Sequence, residues 1–401
     1  MSVTEKFLHY VSFDTQSDPE STTAPSTEKQ LVLAKELEKE CKALGFQKVM
    51  VDPHGIVYAT LEATDDRLPS FGFCAHMDTA TELSGKDIRP RIIENYDGSM
   101  IVLNDQYQMD CKKYPALSNC IGDDLIVTDG NTLLGGDDKA GIAIIMQAVD
   151  EMIKENLPHG KIIVAFTPDE EVGRGTENFD LEQFQVDFAY TVDGGRIDAI
   201  DYENFNAAQA KITITGNTIH PGYAKDKMIN ACLLSHELIE AFPKQETPAH
   251  TENREGFYHL LEMEGTCESA SLAYIIRDHD FEKFTARKQF VQDVINSLNQ
   301  KYGDRFQLEM QDQYYNMAQF MHGDMRSVTR AKEALAACGL DPVSIPTRGG
   351  TDGAMLTEKG CICPNFGTGS YNHHGRYEFC SINQMETMVQ VLKTLMQKQK
   401  P

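Results

Sequence analysis

Residues 161–173 read KIIVAFTPDEEVG, an apolar run that stops at a pair of glutamates, Glu170 and Glu171. Two more runs have the same form. SFGFCA (70–75) leads into His76 and Asp78 of FGFCAHMDT, and FAYTV (188–192) leads into Asp193 of AYTVDGG. Short apolar runs bounded by turn residues read as buried strands. In α/β sheets the crevice at the carboxyl ends of the strands is where ligands bind. Strand-like runs and helices alternate up to Asp193, among them the helix KAGIAIIMQAVDEMIKEN (139–156) directly after Asp137. That alternation predicts an α/β domain with a mostly parallel sheet and covering helices.

The chemistry collects at the ends of these runs. LLGGDDKAG (133–141) adds Asp137, and GSYNHHG (369–375) adds His373 and His374. Each piece alone has a plain reading: a histidine after a strand is often on the surface, paired acids often form a solvated face, and DGG is often a turn. Their common placement sets them apart. Two metal ions held close together need roughly two private ligands each, one shared carboxylate and an open position for water. His76, Asp137, Glu171, Asp193 and His374 fill that quota. Asp78 is left to orient His76, and Glu170 to act as a base beside the water. Spacing alone allows His373 in place of His374.

Outward from the site, TQSDPESTTAPST (15–27) reads as a polar loop. A helix follows it, with Thr27 and Gln30 spaced as a capping box and Val32, Leu33, Leu37 and Leu44 on or near one apolar face. Between Ala208 and Asp312 the pattern changes to strand QAKITITG, helix MINACLLSHELIEAF, strands GFYHLLEMEG and SASLAYIIRD, helix FEKFTARKQFVQDVINSLNQKYG and strand RFQLEMQD. The order βαββαβ is ferredoxin-like. The domains expected are therefore residues 1–207 and 314–401 as one catalytic domain, with 208–313 inserted into it as an α+β lid.

Composition narrows the partners. The chain has 401 residues, with 37 basic against 61 acidic side chains and a net charge of −24. That balance argues against nucleic acid and anionic membrane, both of which are bound through basic surface. No run reaches the ~20 apolar residues of a membrane span, and MSVTEKFLHYV lacks the marks of a signal peptide. The ten cysteines are scattered, with Cys74, Cys232 and Cys363 in apolar runs. They read as free thiols of a cytoplasmic protein.

From YVSFDTQS (10–17) to NHHGRYEF (372–379) the chain resembles peptidase T, the aminotripeptidases of the co-catalytic dizinc exopeptidases. HMDT, LLGGDDKAG, AFTPDEEVG, YTVDGG, ENFNAA, HPGYAK, EGFYHL, YIIRDHD, DQYYNM, RGGTDGA and NHHG occur in that order. The resemblance implies a dizinc exopeptidase fold and hydrolysis of the N-terminal residue from tripeptides. It places His76, Asp137 and Asp193 on one zinc and Asp137, Glu171 and His374 on the other, with Glu170 as general base; Co2+ or Mn2+ can substitute in such donor sets. It also implies an unusual backbone at Asp137–Asp138, His220 as stabiliser of the reacting carbonyl oxygen, and Arg277 and Arg348 as captors of the peptide carboxylate. Apolar strand edges in lids of this kind can pair copies into a homodimer. Ala75 stands where a serine is common, and Ser370 where a glycine is usual. Carboxypeptidases, dipeptidases and deacylases share the metal constellation; EGFYHL and RGGTDGA favour the aminotripeptidase. A non-catalytic binding module is expected to have lost Glu170, which is present.

Overall fold

The computed structural model describes residues 1–397 and divides into two compact units. One contains Met1–Tyr202, Met321–Ile345 and the chain from Thr351 onward; the other contains Glu203–Phe320 with Pro346–Gly350. The second unit is thus wider than the 208–313 read from strand periodicity. Its margins are tied together by amides. Asn204 Nδ2 donates to Tyr315 O, Asn206 Oδ1 accepts from Asn316 N and Gln319 Nε2, and Met317 N donates to Asn204 Oδ1. Amide side chains carry no hydrophobic period, so periodicity stops short of them.

The first unit is built on a seven-stranded sheet in the order Lys48–Val51, Val57–Leu61, Ile162–Thr167, Phe71–His76, Phe188–Val192, Asn365–Phe366, Ile200–Asp201. The four strands from Ile162–Thr167 to Asn365–Phe366 run parallel, and the pairings flanking them are antiparallel. The sheet is thus mostly parallel in strand direction, as expected, with Val57–Leu61 and Ile200–Asp201 as the strands that run the other way. For the first pairing the reason is local: Asp52 Oδ1 accepts from His54 N and Ile56 N, closing a tight turn between Lys48–Val51 and Val57–Leu61. So short a link permits only antiparallel pairing.

Helix Gly136–Lys154 fills the centre. Ile142, Ile144, Ile145, Met146, Val149 and Met152 are all fully buried, as befits a helix that is apolar all round. Each such side chain contributes about 1.5–3 kcal/mol on burial. Helices Val3–Val11 and Ile382–Gln397 and strand Phe71–His76 pack on it. The close approach needs Gly141: a Cβ there would stand 1.8 Å from Val192 O. Among the described residues no helix is long and apolar enough to cross a membrane.

Two local expectations are corrected. Helix Gln30–Leu44 has Lys29 at its N-cap with no side-chain cap, so Thr27 and Gln30 form no capping box. Gln30 is buried and its amide is spent on Asp169. The helix buries Leu33, Ala34, Leu37 and Cys41, while Val32 is 54% exposed. All ten cysteines are free, but Cys232 is only half-buried.

A smaller antiparallel sheet joins Ser370–Tyr371, Phe379–Ser381, Leu125–Val127 and Arg91–Ile93. Strands of two or three residues are too short for a readable period. The second unit pairs Phe257–Gly265, Ser269–Asp278, Asn206–Thr215 and Phe306–Tyr314 antiparallel, in that order. With helices Ala231–Ala241 and Phe281–Tyr302 it has the βαββαβ succession of a ferredoxin-like α+β fold.

Candidate metal centre

Parallel pairing brings the ends of three strands to one edge, and the turns beyond them supply acids and a histidine. His76 closes Phe71–His76, Glu170 and Glu171 follow Ile162–Thr167, and Asp193 follows Phe188–Val192. Asp137 stands at the start of the central helix, where the Asp137–Asp138 peptide is cis. Two groups of donor atoms result: His76, Asp137 and Asp193, and Asp137, Glu171 and His374, each with all its donors within 4.8 Å of one another. Asp137 belongs to both.

The His76 ring is buried. Its Nε2 lies 2.8 Å from Asp137 Oδ1, and its Nδ1 lies 3.2 Å from Asp78 O and 3.3 Å from Asp78 Oδ1. Asp78 does more than orient that ring. Its two carboxylate oxygens also accept the backbone N–H of Glu170 at 3.0 Å and of Glu171 at 3.1 Å. One buried side chain thus holds both His76 and the turn that carries Glu170 and Glu171. His374 Nε2 is 3.1 Å from Glu171 Oε2 and 3.5 Å from Asp137 Oδ2. His373 turns its Nε2 to Ser370 Oγ at 2.9 Å. The serine at a position where glycine is usual therefore holds the second imidazole.

Sequence reasoning passed over Glu378. Its carboxylate is buried and accepts from the N–H of Leu134 at 2.7 Å, Gly135 at 2.8 Å and Asp137 at 2.9 Å. It sets the loop that delivers Asp137. Its position within NHHGRYEF was the available signal. Asp352 of RGGTDGA is also buried and accepts the Thr167 hydroxyl at 2.6 Å.

The electrostatics point one way. Burial pushes Glu170 well above the ordinary carboxyl range, with Asp352 and Asp193 adding to it and His76 opposing. Burial and then Asp137 push Asp193 up, and burial pushes Glu171 up against the pull of His374. Asp137 is the exception: burial works against its charge, but His373, His374 and His76 hold it well below the usual range. Hydrogen bonds to the carboxylates of Asp137 and Glu171 push His374 up to about 11. The common cause is more buried negative charge than the protein's own cations neutralise. Glu171 Oε1 is also buried with no hydrogen-bond partner, which a native protein rarely leaves unmet. Two imidazoles and three carboxylates around a shared Asp137 fit a pair of divalent cations.

The remaining candidates lie in the second unit. His220 is exposed in a turn, and its Nδ1 accepts from Gly222 N. Arg277 is buried beside the Tyr314 ring and donates to Ala208 O, Ile276 O and Gln313 Oε1. Arg348 was expected to act from the catalytic side. It belongs instead to the second unit, donating to Asn253 O, Glu255 O and Thr251 Oγ1 and lying over Phe205 and Phe257. Two aromatic faces and three acceptors give it a structural occupation that its sequence neighbours do not reveal.

A fold with this sheet and this donor set defines a hydrolase of the metallopeptidase kind. The chain belongs to peptidase family M20/M25/M40, whose profile matches residues 129–398, and it is a peptidase. It is similar to peptidase T of Caldanaerobacter subterraneus subsp. tengcongensis, 50% identical over 395 residues and 97% of each chain. Its fold is that of the aminopeptidase PepT from Bacillus cereus ATCC 10987 (TM-score 0.78, 22% identity, 98% of this chain and 97% of the other). A tripeptidase from Staphylococcus aureus subsp. aureus Mu50 is as similar (TM-score 0.79, 20% identity, 98% and 97%).

Proposed function

We propose that this peptidase is a metallo-aminopeptidase that releases the N-terminal residue of tripeptides, with two zinc ions and Glu170 as general base. The observation that carries the reading is the pair of donor groups sharing Asp137. His76, Asp137 and Asp193 would hold one ion, and Asp137, Glu171 and His374 the other. Bound there, the ions would supply the positive charge that polarises a peptide carbonyl and acidifies water.

Glu170 belongs to neither group and is held by its N–H on Asp78. Burial raises the affinity of its carboxylate for a proton, and as the anion it can take one from the attacking water and deliver it to the leaving amine. His220 has its Nε2 left over after Gly222 N takes Nδ1; this atom is assigned to the reacting carbonyl oxygen. Arg277 is assigned to the peptide carboxylate, and that capture would exchange Gln313 Oε1 for the carboxylate. An extended tripeptide spans only ~10 Å, so recognition of both ends selects length. Ten unpaired cysteines suit a reducing compartment such as the cytoplasm. Leu261 and Met263 are exposed on the edge strand Phe257–Gly265, an edge through which copies of the chain would pair as a homodimer.

A substrate panel tests the reading. Matched free tripeptide, dipeptide, tetrapeptide, N-acetyl and C-amidated tripeptides are incubated with the protein, and released amino acid is measured. Cleavage is expected for the free tripeptide, with the other four at least ~10-fold poorer in kcat/KM, a difference of about 1.4 kcal/mol or more. Preferred cleavage of the N-acetyl peptide would make the protein a deacylase instead.

A further inference from the structure

The polar segment at residues 15–27 and its flanks supply no ligand, yet they touch three of the turns that carry the centre. Gln16 Nε2 donates to Ala80 O at 3.1 Å and Leu83 O at 3.0 Å, and Ser17 N donates to Thr79 O, all just beyond His76 and Asp78. Lys139, fully buried after Asp137 and Asp138, donates its Nζ to Phe13 O at 2.8 Å. Arg174, close after Glu171, donates to Ser21 O at 2.8 Å.

The tightest of these contacts is at Asp169, the residue before the base. Asp169 is buried and left-handed, with φ +60°. That conformation costs a residue with a Cβ about 1 kcal/mol or more and persists where surroundings enforce it. Here the enforcement is visible. Ser26 gives its hydroxyl to Asp169 Oδ1 and its N–H to Oδ2 at 2.7 Å. Gln30 Nε2 donates to Oδ1 at 2.7 Å, and its Oε1 accepts Asp169 N at 3.2 Å. Asp78 grips the next two N–H groups from the other side. Glu170 thus leaves a turn clamped between two buried carboxylates, and the Asp169 clamp is anchored in the N-terminal segment.

We propose that Ser26 and Gln30 are positioning residues that aim Glu170 by locking Asp169 in its left-handed turn. The inference rests on Glu170 being the base. Small misplacements of a catalytic group cost on the order of a hundredfold in rate, so the clamp should appear in kcat. Ser26→Ala is expected to lower kcat for a tripeptide about tenfold, and Ser26→Ala with Gln30→Met about a hundredfold. KM should stay within about twofold, and zinc content by mass spectrometry should stay at the parent's value. Ser26→Thr, which restores the hydroxyl, should recover most of the kcat. In a Glu170→Gln background Ser26→Ala should have no further effect, since nothing is left to aim.

Unchanged kcat in the double variant would overturn the proposal. So would zinc lost in step with activity, or a Ser26→Ala effect that persists undiminished in the Glu170→Gln background. If the double variant shows no cooperative melting, Ser26→Ala and Ser26→Thr decide alone. Full activity in Glu170→Gln itself would remove the base assignment; an inactive Glu170→Gln beside a fully active double variant would remove only the clamp.

Discussion

Glu170→Ala is expected to keep its metal and lose turnover by about 10²–10⁴-fold, the usual worth of a positioned general base. The two effects separate because of where the residue sits. Glu170 lies outside both donor groups, and the turn carrying it is held through its main chain by Asp78 and through Asp169 by Ser26 and Gln30. Shortening the side chain therefore leaves Glu171 where it was. The change leaves the main-chain contacts of the turn in place, so the melting temperature is expected to stay near the parent's. Metal analysis, a melting curve and kcat on a free tripeptide check all three statements. Parental kcat in this variant would end the assignment.

Asp137→Ala is expected to abolish activity by a different route, through the metals themselves. Asp137 is the one residue common to both donor groups. Without it His76 and Asp193 remain on one side and Glu171 and His374 on the other, two protein donors each, fewer than the three typical of catalytic zinc sites. The loop itself should persist, because Glu378 holds Leu134, Gly135 and the main chain at residue 137 through N–H groups that the substitution does not touch. A folded protein with less than one zinc per chain after dialysis, and with turnover no higher than that of Glu170→Ala, is the expected result. Two zinc ions retained at parental affinity would show that Asp137 is not the shared ligand.

What was legible in the sequence follows from what periodicity can carry. Strands 71–76, 162–167 and 188–192 are buried on both faces, so they read as unbroken apolar runs, and the acids and histidine ending them stood out. In the second unit, strands Asn206–Thr215, Ser269–Asp278 and Phe306–Tyr314 alternate or nearly so, and the βαββαβ succession was readable. The flanking hairpin was not read, although Asp52-Pro53-His54-Gly55 is good turn chemistry. Buried polar side chains fared worst. Gln30 looked like a helix cap and is a clamp on Asp169; Glu378 looked like the tail of a motif and holds the Asp137 loop. Each works through contacts between residues more than a hundred positions apart, a relation with no local signature. The two adjacent histidines are likewise told apart only by their partners in the fold: His374 Nε2 stands with Asp137 and Glu171, while His373 turns its Nε2 to Ser370 Oγ and its Nδ1 toward Asp137.

The most direct test of the two-metal account is a titration. Chelated, dialysed protein is given zinc in steps while release of the N-terminal residue from a free tripeptide is followed against bound zinc per chain. The account predicts no release at zero zinc and a rise that reaches its plateau at two ions per chain. Release by the metal-free protein, or a plateau reached at one ion, would contradict it.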